Sequence, residues 1–235
     1  MADLFLVRHG QASFLAEDYD QLSETGLKQA AALGKWLRGT GRAAGLVVRG
    51  RMRRHRETAE TCLAAWQPAD GEAVPMRIDA AFDEFDHMDV LCGRHPEFRE
   101  EGRLARFLAT QDDPRRTFQE LFTQSVERWT AGRHDGDYRE SWGAFQARCV
   151  AGLRRVMECT PPSGAAWVFT SGGPMAAACK HVLELSDAKA MELNALIPNT
   201  AVTTLRHGRG RVNLAGFNSV AHLDAAGDAD LFTYR

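Results

Sequence analysis

The chain has 235 residues, 44% apolar and 26% charged, with a formal net charge of −2. Its length and apolar content suit a globular protein with a substantial core, and the near balance of charge gives no general attraction to nucleic acid or an anionic membrane. No stretch of about 18 apolar residues offers a membrane span, the N-terminal run does not read as a secretory signal, and five scattered cysteines without C-x-x-C pairing fit reduced thiols in a cytoplasm.

The first apolar run, Asp3-Leu4-Phe5-Leu6-Val7, reads as a buried strand, and it ends in Arg8-His9-Gly10. In an α/β sheet the carboxyl ends of strands face the ligand crevice, so His9 is placed where a reactive side chain belongs. The same triplet recurs as Arg206-His207-Gly208, between the β-like stretches 201–205 and 211–215, and there it reads as a hairpin turn. After His9 comes a polar loop through Phe14, Asp18, Tyr19 and Asp20. Leu27, Ala30, Ala31, Gly34 and Leu37 then mark one face of a helix, with Ser23 or Thr25 as its N-cap and Gly39 or Gly41 at its end. Leu46-Val47-Val48 is a second strand, so the opening unit is strand, helix, strand, the pattern of a parallel sheet.

Five arginines between Arg49 and Arg56 lead into a helix that begins near residues 52–54 and carries Ala59, Cys62, Leu63 and Trp66 on one face. Without interleaved aromatics or a basic total, they read as a solvated face bearing one functional Arg rather than as a nucleic-acid patch. A third strand, Met76 to Ile78, precedes Asp83-Glu84-Phe85-Asp86-His87, whose clustered acids are suited to holding a carboxyl group with a raised pKa. Residues 87–160 read as mainly helical, with their aromatics as packing, and Asp135-Gly136-Asp137 as a turn too short for a calcium loop. Ala166 to Thr170 forms another buried strand. It runs into Ser171-Gly172-Gly173-Pro174, a helix start whose backbone N–H groups are open to an anion.

These strand ends supply what phosphoryl transfer requires. A neutral imidazole can attack phosphorus, guanidinium groups can bind the phosphoryl oxygens in bidentate fashion, and a carboxylic acid can protonate the leaving alkoxide. Neighbouring arginines disfavour the imidazolium and keep a ring nitrogen available.

The residues Leu6-Val7-Arg8-His9-Gly10-Gln11, Leu22-Ser23-x-x-Gly26-x-x-Gln29-Ala30, Arg54-x-x-x-Thr58-Ala59, Glu84, Gly172-Gly173, Asn199-Thr200 and His222-Leu223 together resemble the histidine phosphatase superfamily, in its phosphoglycerate mutase-like branch. The resemblance implies a three-layer α/β/α fold with a mostly parallel central sheet. It implies a single domain over residues 1–235, with 87–160 as a helical cap insertion. It further implies a phosphohistidine on His9, phosphate binding by Arg8, Arg54, Ser171 and Gly172, and Glu84 as general acid and base, with Asp83 and Asp86 as alternative donors. Gln11, Ser13, Gln21, Asp86 and His222 are further candidates for substrate or secondary contacts. No metal or cofactor is implied, and the oligomeric state is left open between monomer and homodimer.

One position departs from the pattern: a second histidine normally stands before the paired glycines, and here it is Ser171. By analogy with losing one oxyanion-hole donor, that change costs on the order of a hundredfold in rate unless a nearby group compensates. His55, Arg53 and His222 are the candidates. The expected activity is hydrolysis of a small phosphomonoester or a phosphoprotein. The alternatives are a phosphomutase, or a phosphate-binding scaffold weakened in catalysis.

Overall fold

The computed structural model describes residues 1–13, 20–41, 44–66 and 74–234. The loop expected through Phe14, Asp18 and Tyr19 lies mostly outside them. Strand β1 (Ala2–Arg8) is followed by α1 (Glu24–Gly39), β2 (Leu46–Arg49), α2 (Arg53–Trp66) and β3 (Met76–Ile78). Next come α3 (His87–Arg94), α4 (Arg103–Leu108), α5 (Pro114–Thr130) and α6 (Trp142–Cys159). The chain then forms β4 (Ala165–Thr170), α7 (Gly172–Leu183), α8 (Asp187–Ala195), β5 (Val202–Gly208), β6 (Arg211–Ser219) and α9 (Ala221–Ala226). Among the described residues no helix is long and apolar enough to cross a membrane.

The strands form one mixed sheet in the order β3-β2-β4-β1-β5-β6. β1, β2, β3 and β4 pair in parallel, and β5 and β6 add an antiparallel edge. Alternation along the strands divides the core in two. Leu4, Leu6, Leu46, Val48, Ala166 and Val168 face Leu153 and Val156 of α6 and Met175 and Ala178 of α7. Phe5, Val7, Val47, Trp167 and Phe169 face Leu33 and Leu37 of α1 and Ala59, Cys62 and Trp66 of α2. Helices therefore cover both sheet faces, giving the expected three-layer α/β/α arrangement.

Two local expectations are corrected. On α1 the buried stripe is Ala30, Leu33, Gly34 and Leu37, and Leu27 is exposed. The apolar spacing fits either stripe, and Leu33 wins because it completes the layer with Leu37. The Arg206-His207-Gly208 copy is not a turn but the last part of β5. Arg206 lies opposite Asp3 in the ladder, and its guanidinium holds that carboxylate through bonds of 2.7 and 3.1 Å. The turn itself falls on Arg209 and Gly210, both at positive φ.

The chain divides into two compact units, 1–84 with 149–235, and 85–148. The second has its own packing. Leu91, Cys92 and Phe98 are buried beside Met88, Leu104, Phe118 and Leu121. Phe85, Trp129, Trp142 and Phe145 form a ring cluster, with the Trp129 indole N–H donating to Glu140 O at 2.9 Å.

Two features of the first unit hold the turn after β1. Gly10 and Gly26 pack back to back: a Cβ on Gly26 would stand 2.2 Å from the Gln11 carbonyl oxygen, and one on Gly10 2.6 Å from that of Gly26. Ser23 caps α1 by accepting from Gly26 N–H at 3.1 Å, and donates its own proton to Gln11 Oε1 at 2.8 Å. From the other side, Asn199 Nδ2 and Thr200 N–H donate to the His9 carbonyl at 3.1 and 3.3 Å. The Thr200 hydroxyl donates to Asn199 O, so at 2.9 Å it accepts from Nε2–H of buried His222. Asn199 Oδ1 accepts from Thr233, and Gln29 ties Thr233 and Leu231 to Gln11 N–H.

Gly26→Ala must displace backbone, and we expect it to destabilise by about 1–3 kcal/mol, read as a lower urea midpoint. Gly39→Ala, where an added Cβ meets nothing within 4 Å, should stabilise by up to about 1 kcal/mol. Burial pushes His222 down from 6.5 to about 4. The unfolded chain therefore takes up a proton below about pH 6.5 that the fold refuses until lower pH, and stability is lost as the pH falls through that window. His222→Gln should reduce the loss between pH 7.5 and pH 4.5 by roughly 2–3 kcal/mol, as seen in urea titrations at both pH values.

Candidate active site

The parallel register brings three strand ends to one edge of the sheet, where ligands bind in such folds. Arg8 lies opposite Thr170 across β1 and β4, and Arg49 opposite Phe169 across β2 and β4. His9 N–H then donates to Thr170 O at 2.8 Å, and Gly50 N–H to Phe169 O at 3.2 Å. Gly10 N–H donates to Thr58 Oγ1 at 3.0 Å, which fastens the strand end to α2.

His9 is buried, and its Nδ1 lies 2.7 Å from Gly10 O. A carbonyl only accepts, so Nδ1 carries the proton and Nε2 keeps its lone pair. Nε2 has no hydrogen-bond partner among the described residues. Burial first, then the charges of Arg54 and Arg8 and the nearby His55, hold the imidazole well below its ordinary 6.5, against a smaller opposing effect of the Gly10 bond. The neutral form expected from the arginines is thus reached chiefly by desolvation.

Arg8 donates through Nη1 to Ile197 O. Arg54, in the first turn of α2, has a largely buried side chain and pairs with Asp20 at 2.6 Å, while its buried Nε has no partner among the described residues. The other Asp20 oxygen accepts from Arg53 N–H at 2.6 Å, so one carboxylate both caps α2 and orients Arg54. In the sequence Asp20 reads only as part of a polar loop, because an acid 34 positions from its arginine leaves no local signal of the pairing.

The acidic stretch separates into distinct environments. Asp83 accepts from the backbone and guanidinium of Arg51, both at 2.6 Å. Glu84 Oε2 accepts from Gly173 N–H at 3.2 Å, at the first turn of α7. Asp86 belongs to the second unit, where it caps α3 by accepting from Met88 and Asp89 N–H at 3.0 Å. Of the three acids, Glu84 is the one brought to the helix start beside Ser171.

Ser171 is fully buried and occupies the N-cap position of α7 without capping it. Its Oγ lies 2.7 Å from Nε2 of His55, which is also fully buried. The His55 and His9 ring centroids are 5.9 Å apart. Of the three groups considered for the place of the missing histidine, His55 is the one in contact with Ser171. Arg53 pairs with Glu57 at 2.6 Å, and His222 stands behind the His9 carbonyl through Thr200. Gly172 N–H has no backbone acceptor among the described residues, and Gln11 is tied to Ser23 and Gln29. Ser13 and Gln21 pair through their backbones at 2.7 Å, with Ala12 bridged to Leu22 beside them. No group of His, Cys, Asp and Glu among the described residues is placed to hold a metal ion.

The neighbouring ends of β1, β2 and β4 can therefore offer one nitrogen lone pair, two guanidinium groups, a helix N-terminus, a hydroxyl and a carboxyl group. Comparison with known structures places the fold. A phosphoglycerate mutase from Bacillus anthracis str. Sterne is similar over 97% of this chain and 97% of its own, with a TM-score of 0.67 at 16% identity. A mycobacterial glucosyl-3-phosphoglycerate phosphatase matches over 92% and 98%, with a TM-score of 0.62 at 20% identity. A phosphoserine phosphatase from Entamoeba histolytica, solved in complex with 3-phosphoglyceric acid, matches over 95% and 100%, with a TM-score of 0.57 at 17% identity. No curated protein matches the sequence significantly. The family model for the histidine phosphatase superfamily (branch 1) matches residues 4–134 and 109–220, and the chain belongs to that superfamily.

Proposed function

We propose that this protein is a phosphatase that hydrolyses a small phosphomonoester through a phosphohistidine on His9. The observation that carries the reading is the Nδ1 bond to Gly10 O, which leaves Nε2 unprotonated beside two arginines. In the first step Nε2 attacks phosphorus and the ester P–O bond breaks. Arg8 and Arg54 take the charge on the equatorial oxygens, Gly172 N–H adds a donor, and Glu84 protonates the departing alkoxide. In the second step Glu84, now a carboxylate, takes a proton from water as its oxygen attacks phosphorus. The P–N bond breaks, and inorganic phosphate and free His9 result.

The site binds the phosphoryl group with fixed charges, so recognition of the rest of the substrate falls to other surfaces, among them the turn at Gln11, Ser13 and Gln21. The relatives of the same fold named above include enzymes for phosphoserine and for a glucosyl phosphoglycerate. Small, anionic, hydroxyl-bearing phosphomonoesters are accordingly the first substrates to try.

His9→Ala should lower hydrolysis of p-nitrophenyl phosphate by roughly a thousandfold or more, and only the wild type should yield an acid-labile, base-stable phosphoenzyme on rapid quenching. Equal rates in the two proteins would leave a phosphate-binding scaffold as the better reading, and product isomers appearing faster than free phosphate would indicate a mutase. Glu84→Gln should slow hydrolysis of an alkyl phosphate by roughly a hundredfold or more and that of p-nitrophenyl phosphate far less, because nitrophenolate leaves without a proton. Since burial and the arginines hold His9 below 6.5, kcat/KM corrected for dianionic substrate should stay level as the pH falls through 6.5. A titration at 6.5 would show instead an ordinary imidazole.

A further inference from the structure

His55 and Ser171 form a buried imidazole–hydroxyl contact at this edge of the sheet that the scheme above leaves without a role. The pair has three physical peculiarities. Ser171 stands at a helix N-cap, yet its side chain turns from the α7 amides to His55 Nε2 at 2.7 Å. His55 Nδ1 is buried and has no hydrogen-bond partner among the described residues, a costly arrangement that calls for a reason. Gly50 makes room for the ring, because a Cβ there would stand 2.3 Å from Nδ1 and 2.9 Å from Asp83 Oδ1.

A neutral imidazole has one N–H. If Nδ1 held it, the fold would bury a donor without an acceptor; if Nε2 holds it, only an acceptor goes unpaired, which folds tolerate better. An Nε2–H donor also fixes its partner. A serine hydroxyl that accepts from histidine keeps its single proton for another acceptor.

We infer that His55 is a positioning residue, and that with Ser171 it forms a two-residue substitute for the second histidine: His55 Nε2–H donates to Ser171 Oγ, and the Ser171 proton is thereby aimed at the phosphoryl group bound at His9. The geometry supports the assignment in three ways. Thr170, next to Ser171, accepts from His9 N–H; the His9 and His55 rings are 5.9 Å apart; and His55 follows Arg54 directly on α2. The imidazole has in effect moved from the end of β4 to the start of α2, and a hydroxyl spans the distance. Ser171→His alone would drive a second ring into the space that His55 fills.

The inference rests on the phosphoryl-transfer reading, so its test includes measurements independent of turnover. Wild type, Ser171→Ala, His55→Ala and their double variant are compared by orthovanadate calorimetry, by p-nitrophenyl phosphate turnover and by imidazole ¹⁵N NMR. His55 should be the Nε2–H tautomer in the wild type, and its signals should move when orthovanadate is added, but not in Ser171→Ala. Each single substitution should weaken orthovanadate binding and lower kcat by roughly tenfold to a hundredfold, and the double variant should be no worse than the weaker single one, because the two act as a unit. The exchange Ser171→His with His55→Ala should recover binding and turnover that Ser171→His alone does not, which also separates function from folding. An Nδ1–H tautomer, additive losses, wild-type orthovanadate affinity in Ser171→Ala, or an acid-stable phosphate on Ser171 would each overturn the inference. Undiminished hydrolysis by His9→Ala would instead remove the phosphohistidine reading, and the orthovanadate cycle would still decide the pair.

Discussion

The site depends on one hydrogen bond, from His9 Nδ1 to the carbonyl of the next residue. A histidine can attack phosphorus only when it is neutral and when its bare nitrogen faces the substrate. The Gly10 carbonyl selects the tautomer, and burial excludes the proton that would close off Nε2. That carbonyl is positioned in turn because Gly10 lies against Gly26 with no room for a side chain on either. The His9 carbonyl is held from behind by Asn199 and Thr200, and Thr200 by His222. Three buried polar residues of the first unit thus hold the backbone that carries this ring.

The charged groups follow a related logic. Three arginines at the start of α2 each have a carboxylate partner: Arg51 with Asp83, Arg53 with Glu57, and Arg54 with Asp20. An unpaired guanidinium buried beside His9 would cost several kcal/mol. Pairing reduces that cost while the unpaired Nε of Arg54 remains as a donor. Three of the five arginines between Arg49 and Arg56 thus have their charge answered within the fold.

Much of this was legible in the sequence because it is local. The buried apolar runs of the strands, the Ser23 cap and the glycine-rich start of α7 each depend on neighbours within a few positions. The face of α1 was misread at Leu27 because a helix with many alanines offers two apolar stripes, and only the sheet chooses between them. The Arg206 triplet was misread as a turn because its strand character comes from Asp3 on β1, about 200 residues away in sequence. Asp20 escaped for the same reason: its role exists only when the loop after β1 meets α2.

Ser171 shows how such a limit bears on the position where a second histidine is expected. Taken by position, a histidine is missing and a smaller neutral group stands in its place. Taken in space, the end of β4 still touches an imidazole, which arrives from α2, and the glycine at the end of β2 supplies the volume that the ring needs. None of the three residues is informative alone: His55 is one of several polar residues in a charged turn, Gly50 one of many glycines, and Ser171 an ordinary N-cap. Their meaning is joint, because a larger residue at 50 would expel the ring and a helix-capping serine at 171 would leave both ring nitrogens unsatisfied. A polar contact buried this deeply persists in a fold only when each member answers a requirement of the others, and here those requirements converge on the space in front of His9.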